Sequence, residues 1–348
     1  MAAEHAAPAA SRFAWLVPVL GLAVLAALPA VLTPYTQDLV LKITVFAIFA
    51  LSLELLVGTT GLVSLGHAAF FGIGAYAAVL FTGGVGSLPA ALAWLAGDGG
   101  AAPLPKLLAL AIGFAALYAL FVGALSLRTT GVYFIMVTLA FAQMAYFVFH
   151  DTKVGGGSDG IFLYAKPVLE IGGTTLIDLD QKTHFYYFTL GALAFTYGVL
   201  ALVIRSRLGH ALAGIRVNEQ RMRAAGFRTY GYKLAAFVIA GALAGLAGFL
   251  VGVKDGAVNP ELLSWHESGA VLLMIILGGI GSLRGAVLGA VAFTLLKELF
   301  QSEALLGPVA GHWQLTLGLT IIAFVALLPK GLIGLKQRLG LGGGASHG

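Results

Sequence analysis

Four residues of this sequence could move a proton, hold a ligand or act as a nucleophile in a dry setting: Glu54, Ser64, His67 and Tyr76. They sit in a stretch rich in glycine and apolar residues. A hydrolytic site needs a nucleophile, a base and an orienting group converging on one point, and a metal centre needs ligands in a paired spacing. These four match neither pattern, so the sequence offers no catalytic residue, no metal site and no cofactor site. Among 348 residues there are 0 cysteines, which excludes thiol nucleophiles, disulfides and zinc thiolate sites. A GxxxxGKS/T phosphate loop is also missing, so ATP would have to be bound and hydrolysed elsewhere. Polar groups in an apolar helix are costly unless they are paired or face a cavity, which makes Ser64, His67 and Tyr76 candidates for lining a pathway. Interhelical hydrogen bonding, worth about 0.6 kcal/mol on average in membranes, accounts for any one of them equally well. Glu54 is the sharper constraint, because its carboxylate must lie near the cytoplasmic interface, pair with a cation or be protonated.

The elements that must position these residues follow from composition. The chain is 59% hydrophobic and 10% charged, with mean hydropathy +0.95, whereas soluble domains carry roughly 25% charged residues. Continuous apolar runs such as Leu107–Leu127 fit helices of about 20 residues crossing about 30 Å of hydrocarbon, and they lack the alternation of a β-barrel. The fold class is therefore all-α: a polytopic helical membrane protein in a lipid bilayer. Expected crossings are 13–33, 38–57, 61–82, 105–126, 131–149, 185–204, 233–253, 268–282, 285–300 and 312–328, about ten in all. Residues 1–12 form a short polar tail, and the apolar run Phe13–Leu32 is too long for the core of a signal peptide. The two segments between 268 and 300 are short and join through the Gly-rich turn Gly278–Gly285, as expected where backbone lines a pathway. Leu88–Ala96 is read as non-crossing.

Orientation comes from Arg205–Lys233, which carries Arg205, Arg207, Arg216, Arg221, Arg223, Arg228 and Lys233 against the single acid Glu219. The positive-inside rule puts this loop, and with it both termini, in the cytoplasm. Arg128, Arg284 and the 331–348 tail with Lys336 and Arg338 fall on the same side. Gly83–Leu104, the 150–184 loop and Lys254–Glu267 face outward. The net charge of +5 is this bias, and no nucleic-acid partner is implied. Between Gly209 and Gly226 the cytoplasmic loop can form a short amphipathic helix or helix pair, a surface on which a soluble partner could dock. On the outer side, Asp151, Ser158 and Asp159 lie on a flexible glycine frame, with a second polar cluster at Glu261, His266 and Glu267.

Gly209, Arg216, Asn218, Glu219, Ala224 and Gly226 resemble the coupling segment of branched-chain amino acid ABC transporter permeases. Similar too are GTTGLVSLGHAAFFGIGAYAAVL at 58–80, GGGSDGI at 155–161 and NPELLSWHESGAVLLMIILGGIGSLRGAVLGA at 259–290, which together resemble the LivM-type subunit. The resemblance covers most of residues 45–330. It implies a permease that is no enzyme itself, forms half of a translocation pathway for branched-chain or other hydrophobic amino acids, and lies in a bacterial inner membrane. The partners it implies are a second homologous permease, two cytoplasmic ATP-binding subunits and a periplasmic substrate-binding protein. On that reading Gly209–Gly226 is the coupling element, with Arg216 and Glu219 contacting the ATPase, and Asp151, Ser158, Asp159 and Glu261 face the binding protein. Related permeases carry urea or short amides, and an ion-coupled secondary transporter would also use broken helices and buried polar residues. Compared with the family pattern, Glu54 stands where an uncharged residue is usual, and Arg284 and Ala286 replace apolar residues and proline.

Overall fold

Four glycines at a spacing of four, three and four residues (Gly241, Gly245, Gly248 and Gly252) set the centre of the molecule. They lie on one helix, α9 (Thr229–Asp255), and let its backbone come against α3 (His67–Leu80) and α4 (Leu104–Ser126). A side chain at Gly248 would overlap the Phe71 carbonyl, one at Gly245 would meet Ala115, and Gly74 on α3 leaves room for Gly245 in return. Small residues at such crossings are the usual way to pack helices that cannot rely on the hydrophobic effect in lipid. The computed structural model describes residues 16–30, 33–82, 90–95, 102–171, 174–303, 307–328 and 330–338.

Around this core stand α1 (Leu16–Ala27), α2 (Pro34–Glu54), α5 (Val132–Asp151), α6 (Lys182–Arg205), α10 (Trp265–Gly278), α11 (Leu283–Gln301) and α12 (Trp313–Leu327). Outside the bundle lie α7 (Arg207–Val217), α8 (Glu219–Ala224) and α13 (Gly331–Arg338). Six helices among the described residues are long and apolar enough to cross a membrane, and α10 with α11 adds a pair bent by 115°. Two of the six are central, with 78% of the window in 34–60 and 72% of that in 229–255 buried. The others turn large apolar side chains outward, such as Leu117, Phe121, Met136, Phe195, Leu202 and Leu319, as a lipid-facing surface requires.

Several expected segments change form. Residues 61–82 are not one crossing helix: α2 runs on into a π-helical turn, Leu55–Thr60, then 61–66 are irregular and α3 begins only at His67. With 14 residues, α3 is about 21 Å long, short of a full span. The reason is local. Gly61 takes a left-handed φ of 73° that ends the π turn, and Gly66 packs so tightly on the Thr138 carbonyl that only glycine fits. The segment 13–33 becomes the 12-residue α1 followed by a 3-10 turn, Leu28–Ala30. The outer loops are not wholly helical or irregular, because β1 (Ile161–Phe162) pairs antiparallel with β4 (Ala257–Val258) and β2 (Val168–Ile171) with β3 (Thr174–Asp178). The 1–12 tail, the start of the first segment, most of the outer stretch 83–101 and the end of the C-terminal tail lie outside the described residues.

Candidate functional site

The basic loop folds as a helix pair. Ser206 caps α7 by accepting from the Gly209 N–H at 3.4 Å, and Asn218 caps α8 by accepting from the Arg221 N–H at 2.9 Å. Gly209 allows the tight turn out of α6, since a Cβ there would strike the Ile204 carbonyl. Gly226 ends the pair at a left-handed φ of 87°. One face of α7, carrying Ala211, Leu212 and Ile215, is buried against the bundle, while Val217 at the junction is 84% exposed. Arg207, His210, Arg221 and Arg228 are exposed as well, so the outer face is basic with an apolar tip.

Glu219 and Arg216, expected to reach outward, are both engaged within the chain. The Glu219 carboxylate accepts from Arg223 at 2.7 Å, from Thr229 at 2.9 Å and from Lys233 at 2.9 Å, clamping α8 to the first turns of α9. Partial burial pushes its pKa up, but the hydrogen bonds from Lys233, Arg223 and Thr229 outweigh burial and hold it below the ordinary carboxylate value. Lys233 is buried at 4% exposure, so this clamp is also what satisfies its ammonium. The Arg216 guanidinium donates to the Gly58 carbonyl inside the π turn.

Glu54, the last residue of α2, is 2% exposed and its Oε1 accepts from the Gly281 N–H at 2.6 Å. Gly281 belongs to the turn between α10 and α11, where Gly279 and Gly281 have φ of 113° and 97°. Arg216 lies near enough to act on Glu54 electrostatically. Glu54, Gly58, Thr59, Arg216 and Ser282 line one cleft of about 470 Å³. Of the three options for this carboxylate, the structure fits a position at the α7 end of the bundle with a cation close by.

Ser64, within the irregular stretch, and His67, just beyond it, are fully buried. His67 Nε2 meets Ser52 Oγ at 2.8 Å; the Ser52 hydroxyl donates to the Phe49 carbonyl at 2.7 Å, so the imidazole Nε2–H donates to Ser52. The ring stacks on Phe49 at 5.5 Å, and Nδ1 has no hydrogen-bond partner among the described residues. Ser64 Oγ accepts from the Gly66 N–H at 3.2 Å, a local turn. From α10, Ser268 accepts the Ala68 N–H at 2.9 Å and so satisfies one of the free donors at the start of α3. Tyr76 lies nine residues further along α3, stacked on Phe149 at 4.2 Å with its hydroxyl donating to Gly155 at 3.3 Å. Glu54 and His67 thus fall near one level, while Tyr76 belongs to the opposite end.

At that opposite end the two outer polar clusters become one. The β1–β4 pairing sets Ser158 and Asp159 beside the 257–261 stretch, and Tyr146 on α5 lies close to Glu261 and Asp151. Asp151, Ser158, Asp159 and Glu261 are all exposed. The glycine frame is fitted rather than flexible: side chains at Gly155, Gly156 and Gly160 would overlap the carbonyls of Phe149, Gly160 and Val258. Sequence reading missed Ser52 and Ser268. Ser52 could have been found as a second polar residue two places before Glu54 in an apolar helix, and Ser268 from its place at the start of an apolar segment.

Comparison with known proteins identifies a family. The model described as "Branched-chain amino acid transport system / permease component" matches residues 35–326. The high-affinity branched-chain amino acid transport system permease protein LivM of Escherichia coli K12 is 29% identical, the match covering 96% of this chain and 78% of that protein. Its counterpart in Salmonella typhimurium LT2 is 28% identical over 90% of this chain and 73% of that protein. A shorter match, 32% identical over 27% of this chain and 30% of that protein, links it to the permease protein BraD of Pseudomonas aeruginosa. No solved structure matches.

Proposed function

Because this chain belongs to the branched-chain amino acid transport system permease family, we propose that it is the LivM-type membrane subunit of an ATP-driven importer, with ATP hydrolysis left to separate cytoplasmic subunits. The observation that carries the reading is the α7–α8 pair, which presents an exposed basic face with Val217 at its tip and packs its other face beneath the breaks in the spanning helices. A secondary transporter has no use for such a surface. Gly209, Asn218 and Gly226 shape this element, Arg216 and Glu219 brace it, and Val217 and Arg221 meet the ATPase. Chain direction and positive charge favour about ten crossings, with α10 and α11 counted separately, and both termini in the cytoplasm of a bacterial inner membrane.

A second, homologous permease supplies the other half of the pathway, and the substrate is a branched-chain or similar hydrophobic amino acid. Ser64, His67 and Glu54 border the path at the break between α2 and α3, and Tyr76 holds the outer loop above it. Asp151, Ser158, Asp159 and Glu261 form an exposed polar patch suited to transient docking of the periplasmic binding protein. The test is uptake of labelled leucine into proteoliposomes holding this chain with its second permease and two ATP-binding subunits. Vanadate-sensitive uptake that requires the loaded binding protein is expected. Equal uptake by this chain alone, without ATP, overturns the assignment.

A further inference from the structure

An α-helix interior leaves no carbonyl free, because each one accepts from the residue four places on. The π turn at 55–60 breaks that rule, and the Gly58 carbonyl takes the Arg216 guanidinium instead. One turn earlier, Glu54 reaches across to the second break, the 279–282 turn, and holds it by the Gly281 N–H at 2.6 Å. The stem of Arg216 also lies against Gly61, where a Cβ would come within 3.2 Å of Arg216 Cγ. Two side chains therefore connect α7 to both places where spanning helices are interrupted.

The joint is incompletely closed. Among the described residues Glu54 Oε2 is buried with no hydrogen-bond donor, and Glu54 and Arg216 share the cleft of about 470 Å³ with no ion pair within 4.0 Å. A carboxylate left half-satisfied in a buried place, with a guanidinium across a gap, has room for a second arrangement in which the two groups meet. Displacing α7 moves Arg216 and, through it, the Gly58 carbonyl one turn from Glu54.

We propose that Glu54 and Arg216 are a pair of positioning residues that transmit displacement of α7 to the π turn and to the α10–α11 turn at once, so that both breaks move as one. Resting on α7–α8 as the docking element, the inference goes further by naming where force enters the membrane domain. Arg216 carries the movement of α7 to the backbone ahead of His67, and Glu54 keeps the α10–α11 turn in step.

The experiment compares wild type, Glu54→Gln, Arg216→Gln, Arg216→Lys and the double Gln variant in the assembled, reconstituted complex, reading ATP hydrolysis and leucine uptake together. Glu54→Gln keeps an acceptor for the Gly281 N–H and removes only the charge. Each single Gln variant is expected to assemble and to hydrolyse ATP within about twofold of wild type, while uptake per ATP falls about tenfold. The double variant should fall no further than the worse single one, as for residues acting as a unit, and Arg216→Lys should recover part of the loss. Uptake per ATP within about twofold of wild type in both single variants, or losses that multiply in the double variant, overturns the pairing and leaves the importer assignment standing.

Spin labels at His210 and Ile280 add a readout independent of activity. With nucleotide trapped, their separation should hold in wild type and change in Arg216→Gln; an unchanged separation in the variant overturns the proposal. A wild-type complex with no ATP-driven uptake overturns the docking reading itself and the pair with it.

Discussion

The α3–α9 crossing and the α7 joint are both built around glycine, and they use it in opposite ways. At the crossing, Gly74, Gly245 and Gly248 bring two helix backbones together inside regular helices. At the joint, Gly58, Gly279 and Gly281 serve irregular backbone, whose groups are satisfied by Arg216 and Glu54 from other elements. One region is held by fit, which admits a single arrangement. The other is held by a few polar contacts around a cleft, which can be exchanged for others without unpacking a core. A transporter needs both: a rigid wall to move and a place where it can be moved.

The widest separation between the two regions should come from Gly248→Leu. Its side chain has nowhere to go but into the Phe71 carbonyl, so a loss of about 3 kcal/mol or more is expected, read as loss of monodisperse, thermally stable protein in detergent. An intermediate effect is expected for Glu219→Gln at the joint. Removing the carboxylate leaves Lys233 buried without its partner, a loss of about 2 kcal/mol confined to α8 and the start of α9 and visible as faster hydrogen exchange over residues 219–233.

Acidification should act on the same clamp. Since the Glu219 pKa is held below its ordinary value of 4.5, its contribution is present above pH 4.5 and is lost as the pH falls through the depressed folded-state value. Protection over 219–233, taken relative to the intrinsic pH dependence of amide exchange, should therefore fall in acid for wild type and stay flat for Glu219→Gln. The smallest effect belongs to Ser268→Ala, which leaves the Ala68 N–H without its acceptor and should cost about 1 kcal/mol in thermal stability with uptake per ATP unchanged. A drop in coupling there would extend the joint beyond Glu54 and Arg216 and blur the contrast.

Much of this layout is legible in the residue order. The runs that became α4, α5, α6 and α9 are long, apolar and uninterrupted, and no neighbour is needed to make them helical. The short helices between Gly209 and Gly226 are legible too, and the structure shows Ser206 and Asn218 capping them and Gly226 ending them. What the order of residues conceals is where a helix yields. Crossings read from the sequence end at 57 and resume at 61, whereas the chain yields over 55–66, as a π turn and an irregular stretch that the packing of Gly66 on Thr138 and the Arg216 bond to Gly58 stabilise.

By itself, then, the sequence determined the solvent, the helical class, the family and the basic loop between α6 and α9, since these depend on composition and short-range pattern. Tertiary structure alone decided that Glu54 meets Gly281, that Ser52 and Ser268 support His67 and Ala68, and that Arg216 turns inward. Each is a contact between residues 15 to 227 positions apart in the chain. A polar group buried in an apolar bundle must find a partner, but which one it finds is settled by the approach of helices, and no local pattern records that.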